Sequence, residues 1–214
     1  MRYPRDRREN PAGCQVYSFK QPSPEELDHD FLWRTACRLP ERGRIGIFNR
    51  SYYEEVLAVR MHPENLNAEK LPEPVDRRRI WEQRLESIRD HEKHLARNGT
   101  VILKFWLNVS KEEQQQRFLC RLNEPEKHWK FSASDVCERG YWNAYMQAYE
   151  QALAGTSRAR APWYAIPADN KHYMRLRVAE IVVNALQSLG LKYPAVSKAK
   201  RAQFAKLRRM LEEE

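Results

Sequence analysis

Two stretches of this sequence gather side chains suited to gripping phosphate. In the first, IGIFNRSYYEEVL, an apolar run ends at Asn49, Arg50 and Ser51, and Tyr53, Glu54 and Glu55 follow. An arginine at such a place can hold a phosphate through two parallel N–H donors, and nearby carboxylates can hold magnesium or its waters. An ordinary helix start, with acids set against the dipole, uses the same residues, so spacing alone leaves both readings open. In the second, QQQRFLCRLNEPEKHWKF, Arg117 and Arg121 stand four apart and are expected to face the same way. Lys127, His128 and Lys130 follow, interleaved with Trp129 and Phe131. Forked donors on a helix and point charges on a loop are what a closing cationic lid needs. Phosphoryl transfer is catalysed chiefly by positioning and by neutralising charge. A solvated basic surface shows the same pattern.

The overall charge has the matching sign. Thirty-eight Lys and Arg against 29 Asp and Glu leave a formal +9, which favours a polyanionic partner: nucleic acid, nucleotide phosphates or inorganic polyphosphate. A nucleic-acid reading needs only the charge and explains none of the motifs. The histidines show no metal-ligand spacing, and no Ser-His-Asp or Cys-His arrangement can be argued. Tyr52-Tyr53 and Trp163-Tyr164 read as core or pocket wall rather than platforms for stacking bases. Cys14, Cys37, Cys120 and Cys137 form no C-x-x-C pair, the start MRYPRDRREN has no apolar leader run, and no apolar run approaches the roughly 20 residues of a membrane span. These features point to a cytoplasmic protein with no membrane partner.

Elements must bring these residues together. Short apolar runs at 15–19, 44–48, 100–107 and 163–166 predict strands, the third of them central. Helices are predicted at 24–39, 51–61, 75–97, 110–122, 136–154, 171–189 and 198–211, with connections at 61–74 and 123–134. Ser110 and Glu113 have the spacing of a capping box, and Asn98-Gly99 that of a left-handed stop. Strands alternating with helices predict an α/β fold with a parallel sheet covered on both faces. In such sheets ligands meet the carboxyl ends of the strands. Those ends are Lys20, Asn49 and Arg50, residues 108–110 and residues 168–170.

With these motifs in this order, the sequence resembles the family 2 polyphosphate kinases. The resemblance runs through NPAGCQVYSFKQPSPEELDHDFLWR, GRIGIFNRSYYEEVLAVRMHPE, GTVILKFWLNVSKEEQQQRFLCRLNEPEKHWKF, YWNAYMQAYEQALAGTS and APWYAIPADNKHY, about residues 10–189. Glu54, within RSYYEEVL, resembles the class III type. The resemblance implies a three-layer P-loop-kinase-like fold similar to thymidylate kinase. It implies a domain over residues 1–190 with a helical lid at about 110–140, and a charged helical tail at 191–214. It also implies phosphoryl transfer between inorganic polyphosphate and nucleoside mono- or diphosphates such as AMP and ADP, with Mg2+, in a homo-oligomer. Carried over by position, Asn49 and Glu54 are metal residues, and Arg50, Arg117 and Arg121 are catalytic cations. Asp30, Arg34, Tyr53, Lys127 and Lys130 are substrate-binding residues.

The family pattern also carries a G-x-D-x-x-G-K P-loop ahead of the NPxG segment. Here the nine residues before Asn10, MRYPRDRRE, contain no glycine, and no G-x-x-x-x-G-K-[ST] occurs in the 214 residues. The expectation is a kinase-like chain whose N-terminal strand and P-loop are missing, through a late start or a truncated gene. Its neighbouring strands would be left with unpaired edges, and its turnover would be small or absent. A non-catalytic pseudoenzyme or assembly subunit that binds polyphosphate or nucleotide is the alternative.

Overall fold

The computed structural model describes residues 13–71, 76, 79–193 and 195–213. It divides into two compact units, Met1–Asp169 and Asn170–Glu214, where the sequence reading ends its domain at residue 190.

Among its described residues the first unit holds four strands in two parallel pairs. β1 (Cys14–Ser18) runs beside β2 (Ile45–Asn49), in register from Cys14↔Ile45 to Ser18↔Asn49. β3 (Lys104–Asn108) runs beside β4 (Trp163–Pro167), from Lys104↔Trp163 to Asn108↔Pro167. Each pair therefore ends flush at its carboxyl edge. The predicted run 100–107 is a strand only from Lys104 onward. Thr100 N–H turns back to Leu95 O at 3.1 Å, and the first ladder bond is Lys104 N–H to Pro162 O at 3.1 Å. Among the described residues β3 is paired with β4 alone, so the single sheet with β3 at its centre is replaced by two pairs.

Helices depart from the predictions where side chains compete with the backbone. The span 24–39 splits into α1 (Pro24–Leu27), opened by a complete Ser23–Glu26 capping box, and α2 (Trp33–Ala36). Between them Asp30 Oδ1 accepts Leu32 N–H at 2.9 Å, a local turn that diverts the helix. The span 51–61 becomes a 3-10 helix, Tyr52–Val56, followed by α3 (Ala58–Met61). Tyr52, Tyr53, Glu55, Val56 and Leu57 are all buried there, so packing rather than one apolar stripe sets the local winding.

The connection at 61–74 contains a further 3-10 helix, Pro63–Glu69. α4 (Ile80–Arg97) follows; Val75, the predicted helix start, lies outside the described residues. α4 stops as expected: Gly99 takes φ +87°, with Gly99 N–H to Ala96 O at 3.0 Å closing the last turn. α5 (Lys111–Asn123), a 3-10 helix Pro125–Lys130, α6 (Ala133–Glu138) and α7 (Trp142–Thr156) complete the helices of this unit's second half, α6 and α7 being separated by a 3-10 turn, Arg139–Tyr141.

The core lies between the Tyr52–Val56 helix, α4 and α7. Tyr52, Tyr53, Val56, Leu57, Ile88, Ala148 and Ala152 form it, with Phe31, Leu85, Tyr149 and Trp163 packed against it. Ala148 and Ala152, one helical turn apart, let α7 approach closely.

The second unit is helical. α8 (Lys171–Ser188) is capped by Asn170 Oδ1, which accepts both His172 and Tyr173 N–H at 3.0 Å. α9 (Lys198–Glu212) is exposed along its length, as its mixed charges predict. No described helix is long and apolar enough to cross a membrane.

Candidate functional site

The turn that leaves β2 brings the first group of predicted residues together. Phe19 N–H bonds Asn49 O at 3.1 Å, prolonging the β1–β2 ladder, and Asn49 Nδ2 lies 3.5 Å from Ser18 Oγ. Arg50 follows in the left-handed region, φ +65°, a conformation that disfavours a side chain by roughly 1–2 kcal/mol. It swings the chain from strand to 3-10 helix. The Arg50 side chain is 62% exposed, and its guanidinium stands 3.9 Å from the Glu54 carboxylate. Burial pushes the Glu54 carboxyl up, opposed by the charges of Arg50 and Arg34.

Arg34 comes from α2. Its Nη2 donates to Lys20 O at 2.8 Å, and its guanidinium carbon lies 5.3 Å from the Phe19 ring centroid. Its Nε is buried and 3.4 Å from Glu26 Oε1, close enough for charge attraction but without hydrogen-bond geometry. Arg34, Arg50 and Glu54 thus share the carboxyl edge of β1–β2. Tyr149 of α7 belongs to the same surroundings, its hydroxyl raised by burial and then by the Glu54 charge. Tyr145 is raised by burial and by Glu138, to which it donates at 2.9 Å, and only then by Glu54. The sequence reading missed them. The available signal was their four-residue spacing within YWNAYMQAYEQ.

Tyr53 is elsewhere. It is 4% exposed, and its hydroxyl sits 2.9 Å from Glu92 Oε1, 2.7 Å from Thr156 Oγ1 and 2.9 Å from Lys104 Nζ. A substrate-facing role for this side chain is corrected: its polar end is consumed inside the core. Tyr52 also donates to Glu92 Oε1, at 3.0 Å. Beside this network, buried Arg84 donates to Glu55 at 2.9 Å and also to Glu69. Burial, and then the Glu69 charge, push Glu55 up to about 7 against the pull of Arg84.

Asp30 stands apart from Arg34's contacts. It lines a cleft of about 390 Å³ with His29, Phe31, Glu69, Ile80 and Arg84.

The second group lies past β3 and β4. Ser110 Oγ accepts Glu113 N–H at 3.1 Å, giving half of the predicted capping box. The reciprocal half is replaced: Ser110 N–H donates to Asp169 Oδ1 at 2.8 Å, which lowers that carboxyl. Glu113 instead takes Arg117 Nε at 2.8 Å. Arg117 Nη2 donates to the carbonyls of Ala168 and Asp169 at 2.7 and 3.0 Å, so it ties α5 to the end of β4. Arg121 turns to Asp135 of α6 at 3.5 Å. The two arginines do not act as one pair on a shared face, because each finds a different non-local partner. Lys127 pairs with Glu124, and Lys130 lies 4.8 Å from the Trp129 ring centroid. These lysines are exposed or nearly so.

Among the described residues no three His, Cys, Asp or Glu gather as a metal cage. Asn49, Ser51 and Glu54 offer hard oxygen donors at the β2 turn, which is the chemistry magnesium takes when phosphates and water complete its shell.

The profile of the family "Polyphosphate kinase 2 (PPK2)" matches residues 7–193. An ADP-polyphosphate phosphotransferase of Rhodopseudomonas palustris is 54% identical over 203 residues, 94% of this chain and 70% of that protein. An AMP/ADP-polyphosphate phosphotransferase of Meiothermus ruber is 44% identical over 185 residues, 86% of this chain and 65% of that protein. The chain thus spans about two thirds of the length of these relatives. The crystal structure of polyphosphate kinase 2 from Arthrobacter aurescens superposes with a TM-score of 0.84 at 40% identity, covering 96% of this chain and 67% of that one. On sequence and on fold, this chain belongs to the polyphosphate kinase 2 family.

Proposed function

We propose that this chain serves phosphoryl transfer between inorganic polyphosphate and nucleoside mono- or diphosphates, at the carboxyl edges of its two parallel strand pairs. The observation that carries the reading is the convergence of Arg34, Arg50 and Glu54 on the turn after β2. Two relatives named for polyphosphate transfer to ADP, or to AMP and ADP, align along most of the chain and support the same substrates. The exposed Arg50 fork grips a phosphate, and Arg34 adds a second charge from α2. Arg121, Lys127 and Lys130 neutralise the polyanion from the lid segment at about 110–140. Arg117 holds α5 against the end of β4, so the lid cations start from a fixed root. Asp30 faces the nucleotide side through the cleft beside Phe31. Asn49 and Glu54 would hold Mg2+, whose charge neutralises phosphate oxygens and relieves the burial penalty on the Glu54 carboxylate. A cytoplasmic homo-oligomer is part of the same proposal.

The 214 residues contain no G-x-x-x-x-G-K-[ST]. A protein made of them alone is therefore expected to turn over slowly, since losing one such phosphate clamp costs factors of roughly 10²–10³. The test uses that protein with magnesium polyphosphate and ADP or AMP, measuring polyphosphate affinity and nucleotide product. Binding that nucleotide weakens, with slow product formation, supports the reading. Binding with no product at all would favour the non-catalytic alternative. Arg50→Gly relieves the left-handed turn, so it should hold or raise stability, by up to about 1 kcal/mol, while weakening polyphosphate binding about tenfold. A wild-type chain with neither binding nor product would overturn the proposal.

A further inference from the structure

We infer that the buried Lys104–Glu92 pair positions the phosphate-gripping turn, acting through the Tyr53 hydroxyl. The inference rests on the proposed function for the identity of the ligand, but not for the mechanical claim. Lys104 Nζ contacts Glu92 Oε2 at 2.7 Å, Glu92 Oε1 at 2.9 Å, Tyr53 Oη at 2.9 Å and Thr156 O at 3.1 Å. The donors around it can be assigned. Thr156 Oγ1 lies 2.6 Å from Ala152 O, and a carbonyl cannot donate, so the threonine hydroxyl gives its proton there. It is left to accept from Trp163 Nε1 at 2.9 Å and from Tyr53 at 2.7 Å. The network therefore joins the Tyr52–Val56 helix to α4, β3, α7 and β4 through two bonded hydroxyls, those of Tyr53 and Thr156.

Two comparisons assign it to positioning rather than to stability alone. A buried ion pair is a weak source of stability relative to apolar packing of the same shape, because both charges lose water. Among the described residues, the phosphate-gripping turn also lacks short side-chain contacts of its own. Asn49–Ser18 is 3.5 Å, Ser51–Tyr53 is 3.4 Å and Arg50–Glu54 is 3.9 Å, around a non-glycine residue at φ +65°. A strained turn persists only when its surroundings over-determine it. Here the short bonds begin at Tyr53, next to Glu54, and end on Lys104 at the start of β3. One lysine thus ties the Arg50–Glu54 grip on β2 to the β3–β4 pair, from which α5 and its cations depart. Lys104 and Glu92 touch no phosphate in this scheme; they are positioning residues.

Two variants of the full chain test this. Tyr53→Phe keeps the ring and removes the hydroxyl. The double variant Lys104→Met, Glu92→Gln removes both charges and leaves neither unpaired, so it stays folded. Amide hydrogen exchange over residues 49–54 is read against exchange over α4, together with affinity for magnesium polyphosphate. Both variants should speed exchange in the turn about tenfold while α4 changes less than about twofold, and should weaken polyphosphate binding about tenfold. Exchange and affinity within twofold of wild type would overturn the inference, as would a uniform rise across the turn and α4, the mark of a purely structural role. If the wild type binds no polyphosphate, the functional proposal fails while the exchange pattern still decides the positioning claim.

Discussion

The same residue types do opposite things in two regions of this molecule. Around the Tyr52–Val56 helix, Lys104 and Glu92 are almost sealed from water, with side chains 6% and 2% exposed, and Arg84 with Glu55 and Glu69 is nearly so. Their partners are distant in sequence: Lys104 and Tyr53 lie 51 residues apart, Tyr53 and Thr156 103 apart. In the segment from α5 to α6, Lys127 pairs with Glu124, three residues away, and both are partly exposed. Water screens such neighbours, so they can be exchanged for a ligand at little loss. The buried set cannot be exchanged; every charge there stands in for the water its partner has lost. One region fixes geometry, and the other is free to change partners.

The contrast can be broken most forcefully at Glu92. Glu92→Gln alone leaves Lys104 charged and uncompensated in the core, and urea denaturation should show a loss of about 3–5 kcal/mol. The double variant with Lys104→Met should recover most of it; a single-variant loss below about 1 kcal/mol would mean that burial does not govern this pair.

A smaller effect separates the regions by pH. Burial and Glu69 hold the folded Glu55 carboxyl at about 7, above its ordinary 4.5. Between those values the folded state binds more protons than the unfolded one, so the contribution of this group is full below pH 4.5 and is lost as pH rises through about 7. Glu55→Gln should flatten the decline in stability over that window, measured by denaturation at a series of pH values. An unchanged slope would assign the decline to other groups.

The smallest change is expected in the segment from α5 to α6. Lys127→Ala should leave the thermal midpoint where it is and weaken polyphosphate binding a few-fold at low salt. The difference should fade by about 0.5 M salt, where screening is nearly complete. A salt-independent loss would mean that Lys127 acts through structure rather than charge.

What local order encodes was legible early. The strands near 15–19, 44–48 and 163–166 lie within a residue of their predicted places, because short apolar runs between turn formers need no distant information. Asn49, Arg50 and Glu54 could be placed beside one another at a strand end for the same reason, and the ordered motifs identified the family. Competition between nearby and remote partners was not legible. The Asp30–Leu32 turn that splits the span 24–39 wins locally over an apolar pattern that favours one helix. Arg117 leaves Arg121 for carbonyls at the end of β4, 51 and 52 residues away.

By itself, then, the sequence determined the family, three of the four described strands and the placing of Asn49, Arg50 and Glu54 beside one another at a strand end, since these rest on neighbours along the chain. Only the tertiary structure decided that Tyr53 turns inward, that Lys104 meets Glu92 behind the turn after β2, and that β3 runs beside β4 alone among the described strands. Those outcomes depend on which polar groups lose water together, and no spacing along a single chain records that.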